Sequence, residues 1–130
     1  MKRAWALKWA KYLEAPRRKQ AIGRLDKGKG ARCCLGHACV VARLRSHAVK
    51  FEDAPSVVYR SYAGQQTNLP KRVQKLFGMK SSIGQFEKDG RLTSVTFPSG
   101  KVYLTLAWAN DNGETLKDIA AVIRKNWRLL

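Results

Sequence analysis

The sequence predicts an α+β fold: a small single domain, residues 1–130, with about four helices and one β-hairpin. Three observations predict it. At 130 residues the chain has room for one core. Apolar residues at helical spacing recur near both ends, and between them lies a stretch of period-two alternation broken by Pro98-Ser99-Gly100. With 45% apolar and 27% charged residues, the composition is that of a folded chain and excludes wholesale disorder.

Trp5, Trp9, Tyr12 and Leu13 form one face of an amphipathic helix from about residue 3 to Ala15, with Lys2, Lys8 and Lys11 between them, and Pro16 stops it. From Arg17-Arg18-Lys19 to Lys27-Gly28-Lys29-Gly30 cations mix with glycines, so residues 16–32 are expected to be a basic flexible loop. Cys33 to Leu44 is apolar at most positions. Its inward spacing of Cys34, Leu35, Ala38, Val41 and Ala42 predicts a second, largely buried helix.

Val57 to Tyr62 alternates and is rich in β-branched and aromatic residues, which suits a short strand or an extended loop. Asn68-Leu69-Pro70 opens a third, short helix whose stripe is Val73, Leu76 and Phe77 and whose stop is Gly78. Arg91 to Phe97 and Lys101 to Leu104 are expected to pair as the β-hairpin. Thr115 and Asp118 have capping-box spacing ahead of a last helix with Leu116, Ile119, Ala120, Ile123 and Trp127 on its core face.

Charge is where this chain departs from the ordinary. Twenty-six Lys and Arg against nine Asp and Glu leave +17, a surface that repels itself and favours a polyanionic partner. The excess is uneven. Residues 1–32 hold eleven Lys/Arg against Glu14 and Asp26, whereas residues 104–130 are almost balanced. No apolar run is long enough to span a membrane, and the basic residues from Lys2 to Lys11 interrupt any signal-peptide core, so a cytoplasmic location is expected. Three cysteines, two of them adjacent, cannot build a disulfide framework and suit a reducing compartment.

Three stretches together resemble a family of small, largely uncharacterised proteins of tailed bacteriophages and prophages. They are Cys33-Cys34-Leu35-Gly36-His37-Ala38-Cys39; Leu69-Pro70 through Val73 to Leu76-Phe77-Gly78-Met79; and Leu106-Ala107 through Asn110-Asp111 and Gly113 to Leu116, Ile119-Ala120 and Ile123. The resemblance implies a small α+β or mainly helical domain, a phage origin and action inside the host cell. It implies no reaction. His37 stands where it leads one to expect an aliphatic residue.

Cys33, Cys34, His37, Cys39 and His47 put five soft ligands within fifteen residues, but adjacent cysteines on a helix diverge by about 100°, so the cysteines are read as core residues rather than ligands of a zinc site. Asn110-Asp111-Asn112-Gly113-Glu114 lacks the register of a calcium loop. It is read as a turn in which Asp111 and Glu114 favour the N-terminus of the last helix by about 0.3–1 kcal/mol each. No nucleophile elbow, P-loop or convergent carboxylate set appears, so no catalytic residue, metal or cofactor is assigned.

The positive signal is the basic set Arg17, Arg18, Lys19, Arg24, Lys27, Lys29 and Arg32, extended by Lys71, Arg72 and Lys75 on the third helix. Such residues neutralise phosphates and release counterions. Tyr59, Tyr62 and Trp108 are candidates for stacking on unpaired bases. The expectation is a non-catalytic protein that binds nucleic acid, DNA or RNA, or a nucleoprotein complex. The alternatives are a host-takeover or anti-defence inhibitor docking on an acidic host protein, and a metal-dependent nuclease.

Overall fold

A computed structural model describes residues 1–130 in full and has the α+β architecture. Helix α1, Arg3–Glu14, is followed by a parallel pair, β1 (Lys19–Gln20) and β2 (Ala31–Arg32), and then by α2, Cys34–Val41. An antiparallel ribbon joins β3, Ser46–Phe51, to β4, Ala54–Tyr62. After α3, Lys71–Phe77, come two short hairpins, β5–β6 (Glu87–Lys88 with Arg91–Leu92) and β7–β8 (Val95–Thr96 with Val102–Tyr103). Helices α4, Leu106–Asp111, and α5, Leu116–Asn126, close the chain with a 3₁₀ turn, Trp127–Leu129.

The helices have the causes the residues suggest. Trp9, Ala10 and Leu13 of α1 are buried, and α1 lies along α5, whose Ile119, Ala120 and Ile123 fill the same core. Thr115 caps α5 by accepting the Asp118 backbone N–H at 3.1 Å. Gly78 ends α3 in the left-handed conformation, φ +70°. Cys33 occupies the cap of α2, its Sγ accepting from the Gly36 N–H, and seven of the eight α2 residues are buried. The Trp9 indole N–H donates to the Cys34 carbonyl at 3.1 Å and so ties α1 to α2. Trp5, expected in the core, is half-buried and stacks on Phe77.

Several expectations change in detail. Residues 16–32 are tied down by the β1–β2 pair and by the buried Leu25 and Asp26, where a flexible loop was expected. The short strand at 57–62 is half of a longer ribbon. Arg91-Leu92 turns back through Asp89-Gly90 onto Glu87-Lys88, leaving only Val95–Thr96 to pair with Val102–Tyr103. Both Asp89 and Gly90 have positive φ, as a two-residue hairpin turn requires. Helix α4 is a fifth helix, absent from the sequence reading, and its end at Asn110-Asp111 takes in the start of the segment read as a turn. Glu114 does not serve the α5 N-terminus: it is buried and accepts from Ser99 Oγ and from Tyr103 OH, pinning the β7–β8 hairpin. Asp111 accepts from the Gly23 N–H at 2.9 Å.

Candidate nucleic-acid interface

The basic quarter is organised around one buried carboxylate. Asp26, 1% exposed, accepts the Gly28 N–H at 2.8 Å, the Tyr62 hydroxyl at 2.7 Å and Arg32 Nε–H at 3.0 Å. Its main chain bridges Arg32 on one side and Arg60 on the other, so the β1–β2 pair and the β3–β4 ribbon meet at this residue. A carboxylate this deep is tolerated because donors surround it. The Gly28 and Ala31 ends of the next turn close through Ala31 N–H to Gly28 O at 3.1 Å. Lys29 and Gly30 sit at its centre with φ +53° and +81°, which pushes the Lys29 side chain to the surface.

Asn110 anchors the other end of the segment. Its Oδ1 accepts from the Cys34 N–H and from Gln20 Nε2, and its Nδ2 donates to the Ala21 carbonyl at 2.8 Å. Lys19 and Arg32 are thereby fixed on neighbouring strands, in register with Ala31 and Gln20 respectively.

Three adjoining recesses follow from this scaffold. The central one, about 180 Å³, is lined by Tyr12, Arg17, Arg18, Lys19, Lys29, Gly30, Arg32 and His37. A second, about 280 Å³, shares Tyr12 and Arg18 with it and adds Lys8, Lys11 and Ala15 of the first helix and its end. A third, about 430 Å³, shares Lys29 and adds Lys27, Gly28, Ser56, Val57, Val58 and Arg60. Nine Lys and Arg line the three recesses and no carboxylate does, although one of the nine, Arg32, is ion-paired with the buried Asp26 at 3.0 Å. Arg18 is held in place: its guanidinium lies 3.7 Å from the Tyr12 ring centroid and its Nε donates to the Tyr12 carbonyl.

The expected residues divide accordingly. Arg17, Arg18, Lys19, Lys27, Lys29 and Arg32 come together in this track. Arg24 does not: it donates to Gln66 Oε1 and lies 4.4 Å from the Tyr59 ring centroid. Lys71, Arg72 and Lys75 are exposed on α3, where Lys71 shares a separate recess with Lys80 and no residue of the track. Lys8, Lys11 and Arg60 belong to the track although the sequence did not point to them. Of the stacking candidates, Tyr62 is buried with its hydroxyl on Asp26, Tyr59 is half-buried beneath Arg24, and Trp108, 56% exposed, lines none of the three recesses.

His37 forms part of the central recess. It is 1% exposed, its ring lies beside Tyr12, and Nε2–H donates to the Lys19 carbonyl at 2.9 Å. Burial, reinforced by the Arg32 and Arg18 charges, lowers its pKa to about 4, so the ring is neutral at physiological pH. The three cysteines are free and buried. Burial raises the Cys33 thiol to about 11, the Cys39 thiol to about 12, and the Cys34 thiol well above its ordinary value. These are the core positions expected of them, and protonated thiols are poor nucleophiles. No helix is long and apolar enough to cross a membrane.

Over residues 1–127 the chain matches the family described as Domain of unknown function (DUF8296), and it belongs to that family. No curated protein and no solved structure matches it.

Proposed function

We propose that the protein binds nucleic acid through the cationic track, without catalysis. The observation that carries this reading is continuity: the recesses share Tyr12, Arg18 and Lys29, so nine cations follow one another across three parts of the fold with no acid among them. Scattered surface charge serves solubility and needs no such alignment. A row of cations on a fixed scaffold suits a row of phosphates, each neutralised phosphate releasing a counterion. The readout we propose is of backbone and shape, because the sequence carries no helix-turn-helix, zinc-finger or RRM signature. The resemblance to tailed-phage proteins favours a host cell as the place of action.

The test is fluorescence anisotropy with labelled single-stranded DNA, duplex DNA and RNA titrated across salt, with two triple variants of equal net charge. Arg17→Glu/Arg18→Glu/Lys19→Glu is expected to weaken binding and to reduce the slope of log K against log salt by about 2 to 3. Lys71→Glu/Arg72→Glu/Lys75→Glu is expected to change the slope by less than half of that. Equal losses in both would reduce the track to overall charge. No binding to any of the three polymers at physiological salt would overturn the reading and turn the search to an acidic host protein.

A further inference from the structure

We infer that the central recess is a subsite for one phosphate group, gripped by the guanidinium forks of Arg18 and Arg32; that this phosphate belongs to a strand rests on the nucleic-acid reading above. Both arginines are fixed through Nε. Arg18 donates Nε–H to the Tyr12 carbonyl at 3.0 Å with its guanidinium over the Tyr12 ring, and Arg32 donates Nε–H to Asp26 and to the Tyr62 hydroxyl, each at 3.0 Å. Neither uses its Nη groups within the protein. Those of Arg18 are on an exposed side chain. Those of Arg32 are reachable too: the side chain is 23% exposed, and the only buried side-chain nitrogen or oxygen without a partner in the protein is His37 Nδ1. Fixing a long side chain in advance reduces what its ordering costs when a ligand arrives. Arg17 lines the same recess but makes no side-chain hydrogen bond and lies over no ring.

Hydrogen-bond accounting says what fits. The carbonyls of Tyr12, Lys19, Lys29 and Arg32 already accept, from Arg18 Nε, His37 Nε2, Lys19 Nζ and the Ala21 N–H respectively. The five cationic side chains of the recess, Arg17, Arg18, Lys19, Lys29 and Arg32, only donate. A base edge, which mixes donors with acceptors, is a poorer match for such a surface than an oxyanion. Among oxyanions the number of oxygens decides. A carboxylate has two and fills one fork, whereas a phosphate has enough for two forks at once. At about 180 Å³, the space of about six waters at roughly 30 Å³ each, the recess takes one such group.

The first measurement leaves nucleic acid out. Arginine Nε–H resonances are followed by NMR as inorganic phosphate is added, with acetate and sodium chloride at matched ionic strength as controls, and are assigned with Arg18→Lys and Arg32→Lys. Phosphate is expected to shift the Arg18 and Arg32 signals saturably, and neither control to do so. Equal shifts with all three salts overturn the subsite. The second measurement is anisotropy at fixed salt with a single-stranded DNA bearing a 5′-phosphate and the same strand bearing a 5′-hydroxyl. Each lysine variant keeps the charge and loses the fork, so binding is expected to weaken about tenfold with the salt slope unchanged, whereas Arg17→Lys changes it less than about twofold. A loss confined to the 5′-phosphorylated strand supports a terminal phosphate in the recess, and an equal loss on both supports an internal one. Wild-type affinity in both lysine variants overturns the inference and leaves the nucleic-acid reading standing. Failure of the wild type to bind either strand, with the phosphate shifts kept, overturns that reading and leaves the subsite. If Arg32→Lys does not fold for want of its Asp26 contact, Arg18→Lys, on the surface, decides alone.

Discussion

A side-chain carbon at position 36 would lie 1.8 Å from the carbonyl oxygen of Leu25 and 2.7 Å from its carbonyl carbon, so Gly36 is the place where the basic segment seats on α2. The same Leu25 carbonyl accepts from the Cys33 N–H at 3.3 Å, and the Leu25 N–H donates to Gln66 O at 2.7 Å. Because the obstacle is backbone held on both sides, it cannot move away as a flexible side chain would. Gly36→Ala is expected to destabilise the protein by about 3 kcal/mol or more and to lower Tm by roughly 10 °C. Thermal unfolding followed by circular dichroism measures it, and an unchanged Tm would mean that the two segments are not held together there.

Asp26→Asn separates positioning from charge. The substitution removes a negative charge and would strengthen binding to a polyanion if total charge were decisive. It also weakens three hydrogen bonds at a buried site, to Gly28, Tyr62 and Arg32. The expected result is a loss of about 2–4 kcal/mol in stability together with weaker binding under conditions where the variant is still folded. Urea unfolding and anisotropy on the same sample check it; tighter binding would show that the arrangement around Asp26 does not matter.

His37 makes stability depend on pH. Its pKa is near 6.5 in an unfolded chain and about 4 in the fold, so between those values the unfolded state binds the proton more readily. The contribution of His37 is fully present above about pH 6.5 and is lost as pH falls toward 4, a difference of about 3 kcal/mol. Urea midpoints measured between pH 4 and 7 should fall with acidification more steeply in the wild type than in His37→Gln. Parallel curves would mean that the ring titrates as it does in solvent.

The cysteines give a chemical probe of the same core. With Cys33, Cys34 and Cys39 buried and their thiols raised above the ordinary range, iodoacetamide at pH 8 is expected to label none of them in the native protein. All three should react in denaturant. Mass spectrometry counts the adducts, and prompt native labelling of any one would place that thiol at the surface.

What the sequence made legible was whatever is encoded within one turn or one stripe. The α1 and α5 faces, the Thr115 cap and the Gly78 stop each depend on residues close together in the chain, and each was readable. Helix α4 was not, because six residues starting at Leu106 are too few for a period to emerge. The Asp89-Gly90 hairpin carried its turn signal, but two-residue strands gave no alternation to support it. The same boundary runs through the site. Arg17 to Arg32 stood out as a charge run, while Lys8, Lys11 and Arg60 join it only because α1 and β4 pack beside that run. Tyr62 lies 36 residues from Asp26, and nothing local to either residue announces that they meet.

The alignment of nine cations without an acid has an effect on the free protein as well. Those charges oppose one another, and Asp26, the acid nearest to them in sequence, is turned inward. Added salt shields that repulsion and shields phosphate attraction equally well. Under the proposed function, the fold and a polyanion complex therefore respond to ionic strength with opposite signs: brine that would loosen such a ligand tightens the protein, and dilution, which would favour binding, leaves the empty track less stable.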